Sequence, residues 1–286
     1  MRGVGILLVL GFGVLAGSVP AGAVKDPKLS EDDLVAAHRQ AMGAVDARRS
    51  VVAKGICQLT ILAGGSGQMQ GPATFYAEGD RTMTVIEFGH GNYNGERFGF
   101  DGDKAQVAFM VPGSRSPLGE FLFSYQELLR QGLVGGGLST AWPLLASDLA
   151  KRGRLRNEGI KEQDGERLLK AEFRPRRSTP DLNVDLFFDP ETFRLSRSEY
   201  RVRIPASLGT RPDGTAGRPS GRDTQLKLEE RYGQYREVEG VQFPTEWTVR
   251  MTTEDPARGT SLWEWKLLFT EVAFNQSIDP AVFSLR

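Results

Sequence analysis

From Val51 onward apolar side chains return at every second position in run after run, and this alternation constrains the fold more than any other feature of the chain. Ala53, Gly55, Cys57, Leu59 and Ile61 share one face against Lys54, Gln58 and Thr60. Leu182, Val184, Leu186 and Phe188 oppose Asp181, Asn183 and Asp185, while Trp247, Val249 and Met251 oppose Glu246, Thr248 and Arg250. Trp263, Trp265, Leu267 and Phe269 alternate with Glu264 and Lys266. A period of two with one dry side is the pattern of half-buried antiparallel strands. Asn94-Gly95, Asp101-Gly102 and Asp164-Gly165 tolerate positive φ and predict tight hairpins. Gly240, ahead of Val241-Gln242-Phe243-Pro244, predicts a turn into a strand whose proline lies at its start or on an edge. About ten to twelve strands at this spacing favour a barrel or sandwich over a βαβ design.

Three segments depart from that period. Leu34, Val35, His38, Met42 and Val45 recur at helical spacing behind Ser30, which can cap the free amides, and Asp33, its acidic partner three residues on. His38, on or beside this stripe, reads as a packed or rim histidine. Residues 119–130 and 139–149, with Phe121, Phe123, Trp142, Leu144 and Leu145, predict two short apolar-faced helices joined by Gly135-Gly136-Gly137. They cover an open end of the curved sheet, either as mobile lids on a flexible glycine link or as a fixed cap. Residues 210–223 are dense in Gly, Pro and Arg, without a large apolar residue, and predict a flexible surface loop. Its arginines either meet an anionic membrane or partner or keep a hairpin insertion solvated.

The ends and the composition bound the setting. Arg2, an apolar run from Val4 to Val19 and the small-x-small stretch Ala21-Gly22-Ala23 predict a secretory signal peptide over 1–23, cleaved near Ala23. The run is shorter than the ~20 residues a spanning helix needs, which argues against stable membrane insertion. Residues 24–286 then form a single exported domain. The chain of 286 residues carries 36 basic and 36 acidic side chains. That neutrality gives no footprint for a nucleic-acid partner. A lone Cys57, on the dry face of its strand, cannot form an internal disulfide and reads as a small buried apolar residue.

Catalytic constellations are scarce. Neither His38 nor His90 has a second His or a Cys at ligand spacing, so no metal site and no cofactor is expected. Gly64-Gly65-Ser66-Gly67-Gln68 has a glutamine where a nucleophile elbow needs its last glycine. Gly11-Phe12-Gly13 lies within the signal peptide. Asp181, Asp185 and Asp189 read as the polar side of a strand, and nothing in the residues argues for an enzyme.

A capped helix leads into amphipathic strands, then the Asp101-Gly102-Asp103-Lys104 hairpin ahead of Ala105 to Val111. Mid-chain helices and further strands follow, and the chain closes on Asn275, Ile278-Asp279 and Phe283. In this order of features the chain resembles the periplasmic lipoprotein-sorting carriers, the LolA and LolB-like proteins, over nearly its whole length. The segment Gly71 to Ala77 followed by Arg81 stands where that family continues its second strand into its third. The resemblance implies an incompletely closed antiparallel β-barrel of mainly β class with a helical lid. Its concave surface would accept acyl chains of lipoproteins or another amphiphilic lipid, handed between envelope donor and acceptor proteins. Arg81 would be the lid latch. Inward candidates for the apolar cavity are Leu59, Phe75, Phe100, Phe109, Leu186, Phe188, Trp247, Trp263 and Trp265, with Phe121, Phe123 and Trp142 from the lids. The alternative is a non-catalytic cell-envelope interaction module whose core these same residues fill.

Overall fold

The computed structural model describes residues 29–62, 66–89, 93–146, 148–177, 180–206 and 223–285. The signal-peptide segment, His90 and nearly all of the Gly/Pro/Arg segment at 210–223 lie outside the described residues. Twelve strands form one sheet. The first five are β1 (Ser50–Leu62), β2 (Ser66–Glu78), β3 (Arg81–Glu87), β4 (Gly95–Phe100) and β5 (Ala105–Val107). The remainder are β6 (Gly153–Gln163), β7 (Glu166–Pro175), β8 (Leu182–Phe188), β9 (Leu195–Ile204), β10 (Thr224–Val238), β11 (Val241–Asp255) and β12 (Gly259–Phe274). Their order is β5-β4-β3-β2-β1-β12-β11-β10-β9-β8-β7-β6, and every neighbouring pair is antiparallel.

Two meanders therefore meet at the β1–β12 seam, and β5 and β6 remain as edges of an unclosed sheet. Both edges are blunted. β5 has only three residues, and β6 carries a bulge between Asn157 and Gly159, where Gly159 takes φ 76°. Short or bulged edges resist pairing with a second chain.

Helix α1 (Glu31–Met42) begins as its sequence dictates: the Ser30 hydroxyl accepts from the Asp33 N–H and the Asp33 carboxylate accepts from Ser30 in return. Its buried stripe is Leu34, His38 and Met42. Between β5 and β6 the chain crosses the concave face of the sheet as α2 (Pro117–Ser124), α3 (Glu127–Arg130) and α4 (Leu149–Arg152). Residues 131–146 are successive turns, so the helix expected over 139–149 does not form among the described residues before α4. Pro143 has no N–H to give, and the carbonyls of Ser139, Ala141 and Leu145 are taken by arginines. The glycine triplet is buried rather than a free link. A Cβ at Gly136 would lie 2.5 Å from the Trp142 ring, and one at Gly137 would lie 2.8 Å from the Tyr232 ring. Glycine is needed there for close approach.

Turn chemistry holds at Asp164-Gly165, a two-residue hairpin between Gln163 and Glu166 with φ 55° and 79°. It fails at Asn94-Gly95. Gly95 pairs with Glu87 and opens β4, so Asn94-Gly95 is not the two-residue loop of a tight hairpin. The strand expected over 105–111 stops at Val107, with Val111 bridged to Ser114. The C-terminal segment lies on the convex face, where Ile278 and Phe283 pack with Met83 in a small second core. Asn275, at φ 56°, accepts the Arg49 N–H and turns the chain onto that face.

Candidate functional site

The sheet's concave interior is filled by its own side chains. Leu59, Phe75, Phe100, Phe121, Trp142, Leu186, Phe188, Trp247 and Trp265 are all buried in one continuous cluster, with Trp263 partly buried against it. Trp263 stacks on Trp265 at 5.8 Å, and Phe75 meets Trp247 edge-on at 6.1 Å. Phe109 and Phe123 lie elsewhere. They are 55% and 44% exposed, with the Arg115 guanidinium 4.1 and 3.8 Å from their ring centres. The structure brings ten of the twelve candidates together as packing partners, and the inward placement expected for Phe109 and Phe123 is corrected: both rings lie at the surface beneath Arg115.

The backbone of the lid is held by arginines that no motif or period marks in advance. Arg48 donates to the Ser139 carbonyl, Arg39 to Leu145 and Arg152 to Ala141. Arg81 instead pairs with Glu78 and lies 4.8 Å over the Phe283 ring, on the convex side. His38 donates from Nδ1 to the Phe193 carbonyl at 2.8 Å and accepts at Nε2 from the Trp142 indole at 3.1 Å. Burial lowers its pKa to about 4, opposed by the bond to Phe193, so it is a neutral strut.

Two buried carboxyl groups also face the lid. Glu96 of β4 accepts from Tyr93 Oη at 2.5 Å and bonds the Ser116 hydroxyl that caps α2. Glu230 of β10 accepts from the Gly135 N–H at 2.7 Å and the Trp247 indole at 3.0 Å. Burial raises each to about 7, against the lowering effect of those hydrogen bonds.

A cleft of about 680 Å³ opens where α1 begins, within the usual size of small-molecule sites. Leu29, Ile160, Leu169, Pro190 and Phe193 give it apolar walls; Ser30, Glu31, Asn157, Glu158, Gly159, Arg167 and Glu191 complete the lining. The surrounding backbone is fixed. Asn157 donates from its amide to the Leu29 carbonyl at 2.7 Å and accepts the Gly159 N–H at 2.9 Å across the β6 bulge. The Asp189 carboxylate accepts from the N–H groups of Glu191 and Thr192, and Phe193, at φ 55°, presents its carbonyl to His38. None of the twelve cavity candidates lines this cleft. It is assembled from the chain's approach to α1, an edge bulge and a distant turn, which no local sequence period signals.

Catalytic chemistry has little to stand on among the described residues. No group of three or more His, Cys, Asp or Glu side chains could hold a metal. Ser66 and Gly67 belong to a β-hairpin, not a strand-to-helix turn. Cys57 is buried and free, and burial pushes its thiol upward, away from the reactive thiolate. Asp185 is paired with Lys170 and Arg201, Asp181 accepts from Tyr125 Oη, and Asp189 caps a turn.

No protein-family model and no curated protein sequence matches the chain. Solved structures with a similar fold include a LolA-superfamily protein of Nitrosomonas europaea, at 11% identity and a TM-score of 0.42, covering 90% of this chain and 98% of that one. A DUF1329-family protein of Desulfovibrio piger is similar at 14% identity and 0.44, over 88% and 95% of the two chains. An outer-membrane lipoprotein-sorting protein domain of Vibrio parahaemolyticus is similar at 12% identity and 0.45, over 87% and 94%. At these TM-scores the likeness carries no argument about a ligand.

Proposed function

We propose that the protein is a non-catalytic binding protein of the cell envelope that takes an acyl chain of a lipoprotein or another single-chain amphiphile. The observation that carries this reading is the cleft at the start of α1, with its apolar walls, polar lip and hydrogen-bonded frame. Each methylene moved from water into such a wall contributes about 0.8 kcal/mol. Half a dozen of them yield roughly 5 kcal/mol without any specific polar contact. The polar lip keeps a headgroup wet. Periplasmic residence and exchange with envelope donor and acceptor proteins belong to the same proposal. Among the described residues no helix is long and apolar enough to cross a membrane, which leaves β-strand insertion unaddressed.

A second reading has its own observation: ten cavity candidates pack on one another and on the lid. On that reading the protein is an interaction module with a closed core. Uptake of a fluorescent fatty acid separates the two. Carriage predicts saturable binding near one per chain, weakened about tenfold or more by Ile160→Glu, which puts a charge on a half-buried wall position at the margin of the core, with an unchanged urea-unfolding midpoint as the control for folding. Absence of uptake, together with recovery of lipid-free polypeptide in native mass spectrometry, would leave only the interaction module.

A further inference from the structure

Glu230 presents a problem of proton bookkeeping. Tyr200 Oη of β9 lies 2.8 Å from the Leu133 carbonyl oxygen and 2.8 Å from Glu230 Oε2. Two short oxygen–oxygen contacts need two protons, the carbonyl supplies none and the phenol supplies one. The other proton must sit on the carboxyl. Oε1, meanwhile, receives two N–H groups, from Gly135 and from the Trp247 indole. A neutral acid satisfies these four contacts: Oε2–H donates to Tyr200, Tyr200 donates to Leu133, and the acid's carbonyl oxygen accepts twice, while the buried Tyr232 hydroxyl nearby makes no hydrogen bond. A carboxylate would leave one of the 2.8 Å contacts as lone pair against lone pair, inside a fully buried site.

We infer that Glu230 is held as a carboxylic acid and pins residues 133–135 of the lid to the sheet, so that loss of its proton releases that part of the lid. The groups facing it agree. Among the described residues no Lys, Arg or His pairs with Glu230; the titratable side chains around it are Tyr200 on β9 and Tyr232 on its own strand. Trp247 faces it from β11, and the lid opposite is Leu133-Val134-Gly135-Gly136-Gly137, which has no titratable side chain. Burial supports the same protonation state, setting the group at about 7, where modest pH changes move its proton. An ionised Glu230 would draw the single Tyr200 proton to itself, leaving the Leu133 carbonyl only the Gly136 N–H of its own turn and no bond to the sheet, and a buried carboxylate with no cation beside it favours exposure to water. The inference stands whether or not the cleft beside α1 holds a lipid.

Backbone hydrogen exchange of the full chain tests it, followed at residues 133–138 against the β1–β12 seam and corrected for the intrinsic pH dependence of exchange. Wild-type protection at 133–138 falls about tenfold or more between about pH 5.5 and about pH 8.5 while the seam is unchanged. Glu230→Gln, whose amide donates to Tyr200 and whose carbonyl accepts from Gly135 and Trp247, keeps the lid protected at both. Equal wild-type protection at the two pH values overturns the inference without any variant. An equal fall in wild type and Glu230→Gln overturns it as well, because the proton concerned would then belong to another group.

Discussion

Glu229 and Glu230 are adjacent in β10 and meet opposite electrostatic solutions. Glu229 faces the convex side. Burial pushes it up, but Lys227 and Arg231 outweigh that effect and hold it below the usual carboxylate range. Glu230 faces the lid, has only hydrogen bonds for company, and is driven up to about 7 by burial. The same contrast extends across the sheet. On the convex side of β7 to β10, Glu172, Asp185, Glu199 and Glu229 sit at successive register positions, flanked by Lys170, Arg197, Arg201, Lys227 and Arg231. Glu199 is 0% and Arg197 1% exposed. A face expected to be wet is buried beneath its own ion pairs, with the hairpin tip at Asp164 and Glu166 closing over Arg197. The concave side buries aromatic rings, and its carboxyls Glu96 and Glu230 have hydrogen-bond donors in place of cations and are raised to about 7 by burial. Charge can be buried on either side of one sheet, but by pairing outside and by neutralisation inside.

That contrast can be broken most severely where the rings are. Trp247→Ala removes a fully buried indole, its edge contact with Phe75 and a donor to Glu230. A loss of about 4 kcal/mol in urea unfolding is expected. On the other side Glu199→Ala strips a carboxylate from Arg197, Arg201 and Lys227, and the cations left behind cost about 3 kcal/mol by the same measurement.

The pH dependence of stability sharpens the comparison. Glu96 and Glu230 bind a proton more tightly when folded, so their contribution is complete below the unfolded carboxyl value of 4.5 and is lost as pH rises toward about 7. Thermal unfolding should weaken across that window by up to about 3 kcal/mol per group, and the double variant Glu96→Gln, Glu230→Gln should flatten the curve. Glu229 acts with the opposite sign. Its stabilisation is present above 4.5 and disappears in more acidic solution, so Glu229→Gln should remove stability at neutral pH but little in acid. The smallest effect belongs to the rim of the ion-pair grid. Asp164→Asn keeps the left-handed turn and loses a half-exposed bond to Arg197, costing about 0.5 kcal/mol in the same denaturation assay.

How far the chain can be read without coordinates depends on the range of the interaction. Strand period, the Ser30 cap and the Asp164-Gly165 turn are local, and they are plain in the residues. Residues 139–149 mislead because Trp142, Leu144 and Leu145 suggest a helical face, while Pro143 and the claims of Arg39, Arg48 and Arg152 on its carbonyls forbid one. Glu230 had a signal that could have been used: it interrupts the inward series Leu228, Glu230, Tyr232 just as Glu96 interrupts the inward series of β4. A carboxyl at an inward position of a strand calls for a partner. The cleft had no such signal, since Leu29, Ile160 and Phe193 meet only through the tertiary fold.

The location of bound lipid tests the account most directly. A fatty acid carrying a photoreactive group near its tail, irradiated with the full chain and mapped by peptide mass spectrometry, should label residues 157–169 and 190–193, and Ile160→Glu should abolish the label. Labelling of Phe75, Trp247, Trp265 or the lid segment 133–142, with the walls beside α1 unmarked, would place the hydrocarbon inside the sheet and contradict the account.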